Sequence, residues 1–211
     1  MSRVRVKVCG TTRAEDALLA ASLGADAIGF VFWASSPRAI TPEAAATIVR
    51  QLPPLVGKVG VFVDAPPSEV AAVANTVGLT ALQLHGDEQP EQYAQLWLPI
   101  MKAVALDDEA ARQTAASWPP RFTVLVDAAD RERRGGTGQR ANWAHAAALA
   151  ATRPVVLAGG LTPDNVGEAI RTVRPWAVDV SSGVESSPGV KDPEKLRRFF
   201  AAVAYENGAH A

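Results

Sequence analysis

The chain has 211 residues, a net charge of −1, and a composition 48% hydrophobic and 20% charged. That length suits one α/β domain with a substantial core, and the absence of like-charged blocks gives no electrostatic basis for a nucleic-acid surface. The single cysteine excludes an internal disulfide, the first residues lack a signal peptide's apolar core, and the longest strongly apolar run, 27–34, is too short to span a bilayer; the expectation is a cytoplasmic protein with no membrane contact.

In chain order, β-rich runs alternate with alanine-rich helical patterns. The first, VRVKVC at 4–9, has period-two alternation and stops at Gly10; a helix is expected over 13–23, with Gly24 behind it. A strand over 27–32 precedes a helix over 42–51, which Thr41 and Pro42 open. Next come a strand at 57–63, a helix at 68–77 capped by Ser68 and closed by Gly78, a strand at 80–85 and a helix at 89–97. The pattern continues with strands at 99–105, 122–127, 154–158 and 176–181. Helices are expected at 108–117, 142–151, 165–173 and 193–204, the last opened by Asp192 and Pro193. Strict βα alternation through eight strands implies a parallel sheet, and the expected fold is a single (β/α)₈ TIM barrel over 1–205, with a tail at 206–211. An open doubly wound sheet is the other architecture of this kind, but CGTT stands after the first strand where a dinucleotide-binding sheet would carry GxGxxG.

Active sites of such barrels lie at the C-terminal ends of the strands. Parity puts Lys7 and Cys9 opposite the valines of strand one, Gln83 and His85 opposite Leu82 and Leu84, Asp127 opposite Val124 and Val126, and Asp179 opposite Val178 and Val180. The apolar face packs on the helices, so Lys7, Cys9, His85, Asp127 and Asp179 are expected to converge on the barrel mouth. His85, His145 and His210 share no short ligand spacing with Cys9 or one another, so no metal is expected.

Two late segments read as an anion site. In LAGGLTPDN (157–165) a strand runs through Gly159 and Gly160 into a helix, and in DVSSGVE (179–185) a strand runs into Ser182 and Gly183. Glycine admits close approach of backbone N–H groups, and the loops after strands seven and eight are where many barrels hold phosphate. A third cluster, GGTG at 135–138, could touch the substrate, form a mobile lid or serve only as a flexible linker.

These motifs together resemble the phosphoribosylanthranilate isomerase family. The matching residues are KVCG (7–10), GFVF with SPR (29–38), GVFV (60–63), QLHG (83–86), VDA (126–128), GGTG, AGGL (158–161), and DVSSGVE with GVKD (179–192), in family order along nearly the whole chain. Thr11 and the ANW string at 141–143 depart from the usual pattern. The resemblance implies an Amadori rearrangement of phosphoribosylanthranilate to 1-(2-carboxyphenylamino)-1-deoxyribulose 5-phosphate in tryptophan biosynthesis, without cofactor or metal. It assigns Cys9 as general base, Asp127 as general acid and Arg38 to the anthranilate carboxylate. His85 and Asp179 would line the mouth, and Gly159, Gly160, Ser182 and Gly183 would bind the phosphate.

The chemistry asks for such groups. Opening the furanose requires a proton on the ring oxygen, and forming the enolamine requires a base at C2. Cysteine is a base only as thiolate, and Lys7, one pleat back on the same face, is expected to lower its pKa. A lysine-centred site built on Lys7 or Lys102 would instead suit a related phosphosugar lyase or epimerase, and a non-catalytic phosphate-ligand binder would need no facing acid and base. Arg5 shares the parity of Lys7 but lies deeper, with no role to assign. The sequence leaves open a monomer or a homodimer.

Overall fold

Eight parallel strands close on themselves in the computed structural model, which describes residues 3–93, 95–127 and 141–209. They are β1 (Arg5–Val8), β2 (Ala27–Val31), β3 (Gly57–Phe62), β4 (Ala81–Leu84), β5 (Ile100–Val104), β6 (Phe122–Val126), β7 (Val155–Leu157) and β8 (Ala177–Val180). Each pairs with the next, and β1 pairs with β8 in a register that sets Lys7 opposite Asp179. The helices are α1 (Ala14–Ser22), α2 (Pro42–Val49), α3 (Pro67–Val77), α4 (Glu109–Ser117), α5 (Trp143–Ala150), α6 (Val166–Val173) and α7 (Pro193–Ala209). This is the expected (β/α)₈ barrel. None of the helices among the described residues is long and apolar enough to cross a membrane.

The two strand faces divide as the alternation requires. Val6, Val8, Ile28, Phe30, Leu82, Leu84, Val124, Val126, Leu157, Val178 and Val180 join the helices in one large outer core. Inside the barrel a separate, smaller cluster of Ala103, Leu125, Val156, Ala158 and Ala177 fills the middle, with Met101 against it. Polar residues of the same parity therefore stand above this plug.

Local signals set most helix ends. The Thr41 hydroxyl accepts from the Ala44 N–H at 3.3 Å, Asp108 from Ala111 at 2.7 Å, and Asn142 from His145 at 3.2 Å. Gly78 closes α3 in the left-handed conformation, at φ 76°. Three expectations are corrected. Ser68 is not a cap, because Pro67 at the first helical position lets α3 begin earlier, from Pro66. The described residues of 89–97 hold no α-helix, only a 3₁₀ turn, Pro90–Tyr93, where tertiary contact overrides local spacing: Tyr93 is buried and its hydroxyl donates to the Ala65 carbonyl. No free tail begins at 206: α7 runs to Ala209, Glu206 is buried and ion-paired with Arg171, and the Val4 N–H donates to Asn207 Oδ1 at 2.8 Å.

Between β8 and α7 the chain adds a 3₁₀ turn (Ser182–Val184) and an antiparallel hairpin of β9 (Glu185–Ser187) and β10 (Val190–Lys191). Gly189 turns it at φ 80°, and the Thr12 hydroxyl donates to the Gly189 carbonyl at 2.6 Å, which pins the hairpin to the loop after β1. Nothing in the hydrophobic pattern announces this hairpin, because strands this short carry almost no periodicity.

Candidate active site

The C-terminal ends of β1, β4, β6 and β8 bring together the polar residues that parity selected. Lys7 is 3% exposed, and its Nζ donates to both Asp179 carboxylate oxygens at 2.9 Å. Burial opposes the Lys7 charge, yet the Asp179 carboxylate and Cys9 beside it hold the ammonium above the ordinary lysine range. Burial pushes the Asp179 carboxyl up even with Lys7 bound to it, and the nearby Asp127 adds to that push. Across the mouth, His85 Nε2 lies 3.3 Å from Asp127 Oδ2, and His85 Nδ1 lies 2.8 Å from Gln83 Nε2. The next helix among the described residues, α5, takes its cap from Asn142.

Cys9 packs with Val31 and Val61, and Trp33 rests against that wall. Its thiol departs from expectation. Burial pushes the pKa up, and the pull of Lys7 in the other direction does not outweigh it, because Lys7 is committed to Asp179. Gly29 makes room for this corner: a Cβ there would lie 2.9 Å from Cys9 Sγ and 3.2 Å from Lys7 Cε. A glycine inside a strand pattern signals such a close approach, so the sequence did carry a mark of this position.

Lys102 does not reach the mouth. It has the outward parity of Ile100, and its ammonium donates to Glu88 at 3.2 Å and to the Gly86 carbonyl. Of the two lysines offered for a lysine-centred site, only Lys7 faces the interior. Arg5 lies at the opposite end of the barrel, its guanidinium carbon 4.5 Å from the centre of the Trp176 ring, a cation–π contact and no part of the site. His145, on α5, lies outside the mouth with its Nδ1 2.8 Å from the Leu106 carbonyl. Among the described residues no group of three or more His, Cys, Asp or Glu side chains could hold a metal ion.

The two late loops meet above the mouth. Gly159 and Gly160 sit at φ 80° and 61°, and neither amide goes to a backbone acceptor among the described residues. Asn165, which the sequence reading passed over, ties this loop: its Nδ2 donates to the Gly160 carbonyl at 2.9 Å and its Oδ1 accepts from the Thr162 N–H at 2.8 Å. Gly183 touches the first loop so closely that a Cβ would fall 1.8 Å from the Leu161 carbonyl oxygen. Arg38 is buried near the β1 end, where its Cδ would be 2.5 Å from a Cβ on Gly10. The GGTG cluster at 135–138 lies outside the described residues.

Known proteins resemble this chain in sequence and in fold. A protein from Pelobacter propionicus named N-(5'-phosphoribosyl)anthranilate isomerase is 48% identical over 196 residues, covering 93% of each chain. The crystal structure of phosphoribosyl anthranilate isomerase from Thermotoga maritima superposes with a TM-score of 0.88 at 42% identity, over 96% of this chain and 99% of that one. A further structure of such an isomerase, in complex with reduced 1-(o-carboxyphenylamino)-1-deoxyribulose 5-phosphate, has a TM-score of 0.85 at 41% identity, over 96% and 99% of the two chains. The family model described as N-(5'phosphoribosyl)anthranilate (PRA) isomerase matches residues 6–202, and the chain belongs to that family.

Proposed function

We propose that the chain isomerises N-(5'-phosphoribosyl)anthranilate to 1-(2-carboxyphenylamino)-1-deoxyribulose 5-phosphate, a step of tryptophan biosynthesis, with Cys9 and Asp127 as base and acid. The observation that carries this reading is the gathering of the Cys9 thiol and the Asp127 carboxyl, beside the Lys7–Asp179 pair, at the mouth of a barrel whose last two loops present glycines. Asp127 gives a proton to the furanose oxygen as the C1–O bond breaks, and the anthranilate nitrogen takes up the developing charge as an iminium. Cys9 then removes the C2 proton, which leaves the enolamine that tautomerises to the ketone. The iminium charge beside Sγ offsets the desolvation that burial imposes on the thiolate. His85 holds the Asp127 carboxyl from the β4 side, and Asp179 keeps Lys7 in place beneath Cys9. Arg38 receives the benzoate carboxylate, and Gly159, Gly160, Ser182 and Gly183 receive the phosphate on backbone N–H groups. The reading carries with it a cytoplasmic enzyme, monomer or homodimer, that acts on a small molecule without a cofactor.

The test is incubation with freshly made phosphoribosylanthranilate, following the loss of anthranilate-type fluorescence. Turnover is expected for the native chain, with Cys9→Ala and Asp127→Asn each lowering kcat by about 10²-fold or more while the fold survives. An unchanged signal with the native chain, beside a working control enzyme, would reject the activity. Near-normal turnover in either variant would reject the assigned roles.

A further inference from the structure

Glu185 and Lys191 have no part in the chemistry above, yet both are buried charges, 7% and 2% exposed, on the two strands of the hairpin. Glu185 accepts from Arg38 Nε at 2.9 and 3.2 Å and from Nη2 at 2.7 Å. It therefore occupies the side edge of the guanidinium. Nη1 donates to no acceptor among the described residues, so the end edge, Nη1 with the second hydrogen of Nη2, is left for another carboxylate. Lys191 Nζ donates to Glu185 Oε1 at 2.8 Å, to the Cys9 carbonyl at 2.6 Å and to the Ser181 carbonyl at 3.4 Å. Arg38 with Glu185 alone would be a neutral pair with little pull on an anion. Lys191 adds a second cation beside the pair; burial and the Arg38 charge press its pKa down, and the Glu185 carboxylate at 2.8 Å works to hold the ammonium. The same ammonium ties the cluster to the backbone at the ends of β1 and β8.

We propose that Glu185 and Lys191 are positioning residues: Glu185 holds Arg38 edge-on so that its free edge meets the substrate's aromatic carboxylate, and Lys191 keeps the cluster cationic while fixing it to the backbone of Cys9. The inference rests on the isomerase reading and goes beyond it by assigning the preference for a carboxylated aromatic amine to a hairpin outside the barrel. The carboxylate-reading arginine and the base then share one anchor.

The experiment compares phosphoribosylanthranilate with phosphoribosylaniline, which lacks the carboxylate, in the native chain, Glu185→Gln, Lys191→Met and Lys191→Arg. Glu185→Gln is expected to lower the kcat/KM preference for the carboxylated substrate by about tenfold or more, mostly through KM. Lys191→Met is expected to lower both that preference and kcat, with Lys191→Arg recovering part of each. Equal losses on both substrates in variants that keep a cooperative urea transition would overturn the proposal. If Lys191→Met does not fold, Glu185→Gln, which keeps an oxygen for Arg38, decides alone. If the native chain turns over neither substrate, the isomerase reading fails, and direct fluorescence titration with anthranilate and competition by aniline decide the positioning claim. There, about tenfold weaker anthranilate binding in Glu185→Gln with aniline unaffected supports it, and unchanged anthranilate binding overturns it.

Discussion

Cys9 is the only thiol of the chain, so its ionisation can be read without interference. Two opposed effects act on it: burial disfavours the thiolate, and Lys7 favours it, with burial the larger. The rate of alkylation by iodoacetamide against pH is expected to reach its half-maximum above about 8.5, the value of a free thiol. A midpoint below that would mean that Lys7 outweighs burial. The presence of Lys7 and Cys9 on one face was legible in the alternation of VRVKVC, because a strand's period fixes parity. The sign of the pKa shift was not, because it depends on how Lys7 divides itself between Cys9 and Asp179, a residue 172 positions away. Arg38 shows the same limit: its charge and its place after Pro37 were visible, while its bond to Glu185 across 147 positions was not.

At the scale of the element, the site depends on two loops that touch. Gly159 and Gly160 mark where the backbone after β7 takes positive φ, and Gly183 marks where the loop after β8 presses on the loop after β7. A methyl group at Gly183 would meet backbone, not a side chain that could turn away, so the loops would have to part. Gly183→Ala is expected to cost about 1–3 kcal/mol of stability in urea unfolding, the usual penalty of overpacking. It should also raise KM more than it lowers kcat. An unaltered urea midpoint and KM would show that the loops are not in the contact described. The glycines were legible as punctuation in AGGL and DVSSGVE, and their closeness to one another was not. The missing helix between β4 and β5 teaches the converse. QPEQYAQLW has helical spacing, yet its described residues form only a 3₁₀ turn, because Tyr93 is drawn onto the loop after β3.

For the whole molecule, the division into an outer core and an inner plug decides where mutations act. Phe30 is fully buried in the outer core, on the face of β2 opposite Gly29. Phe30→Ala is expected to cost about 3–5 kcal/mol, through a cavity between sheet and helices. Urea unfolding checks this, and the folded fraction should keep most of its turnover per molecule, since the deleted ring lies away from the mouth. A loss of activity with the urea midpoint unchanged would mean that Phe30 shapes the site directly.

The sequence by itself determined the (β/α)₈ alternation, the strand parity that sends Lys7, Cys9, His85, Asp127 and Asp179 to one mouth, and the glycine loops above them. All of these are local, set by periods of two or 3.6 residues and by the backbone freedom of glycine. Only the tertiary structure decided how the charges pair: Lys7 with Asp179, His85 with Asp127, Lys102 turned outward onto Glu88, and Arg38 with Glu185 and Lys191. Barrel closure and the docking of a short hairpin set those partners, and the energy of a buried charge depends on the partner it meets as much as on its own chemistry.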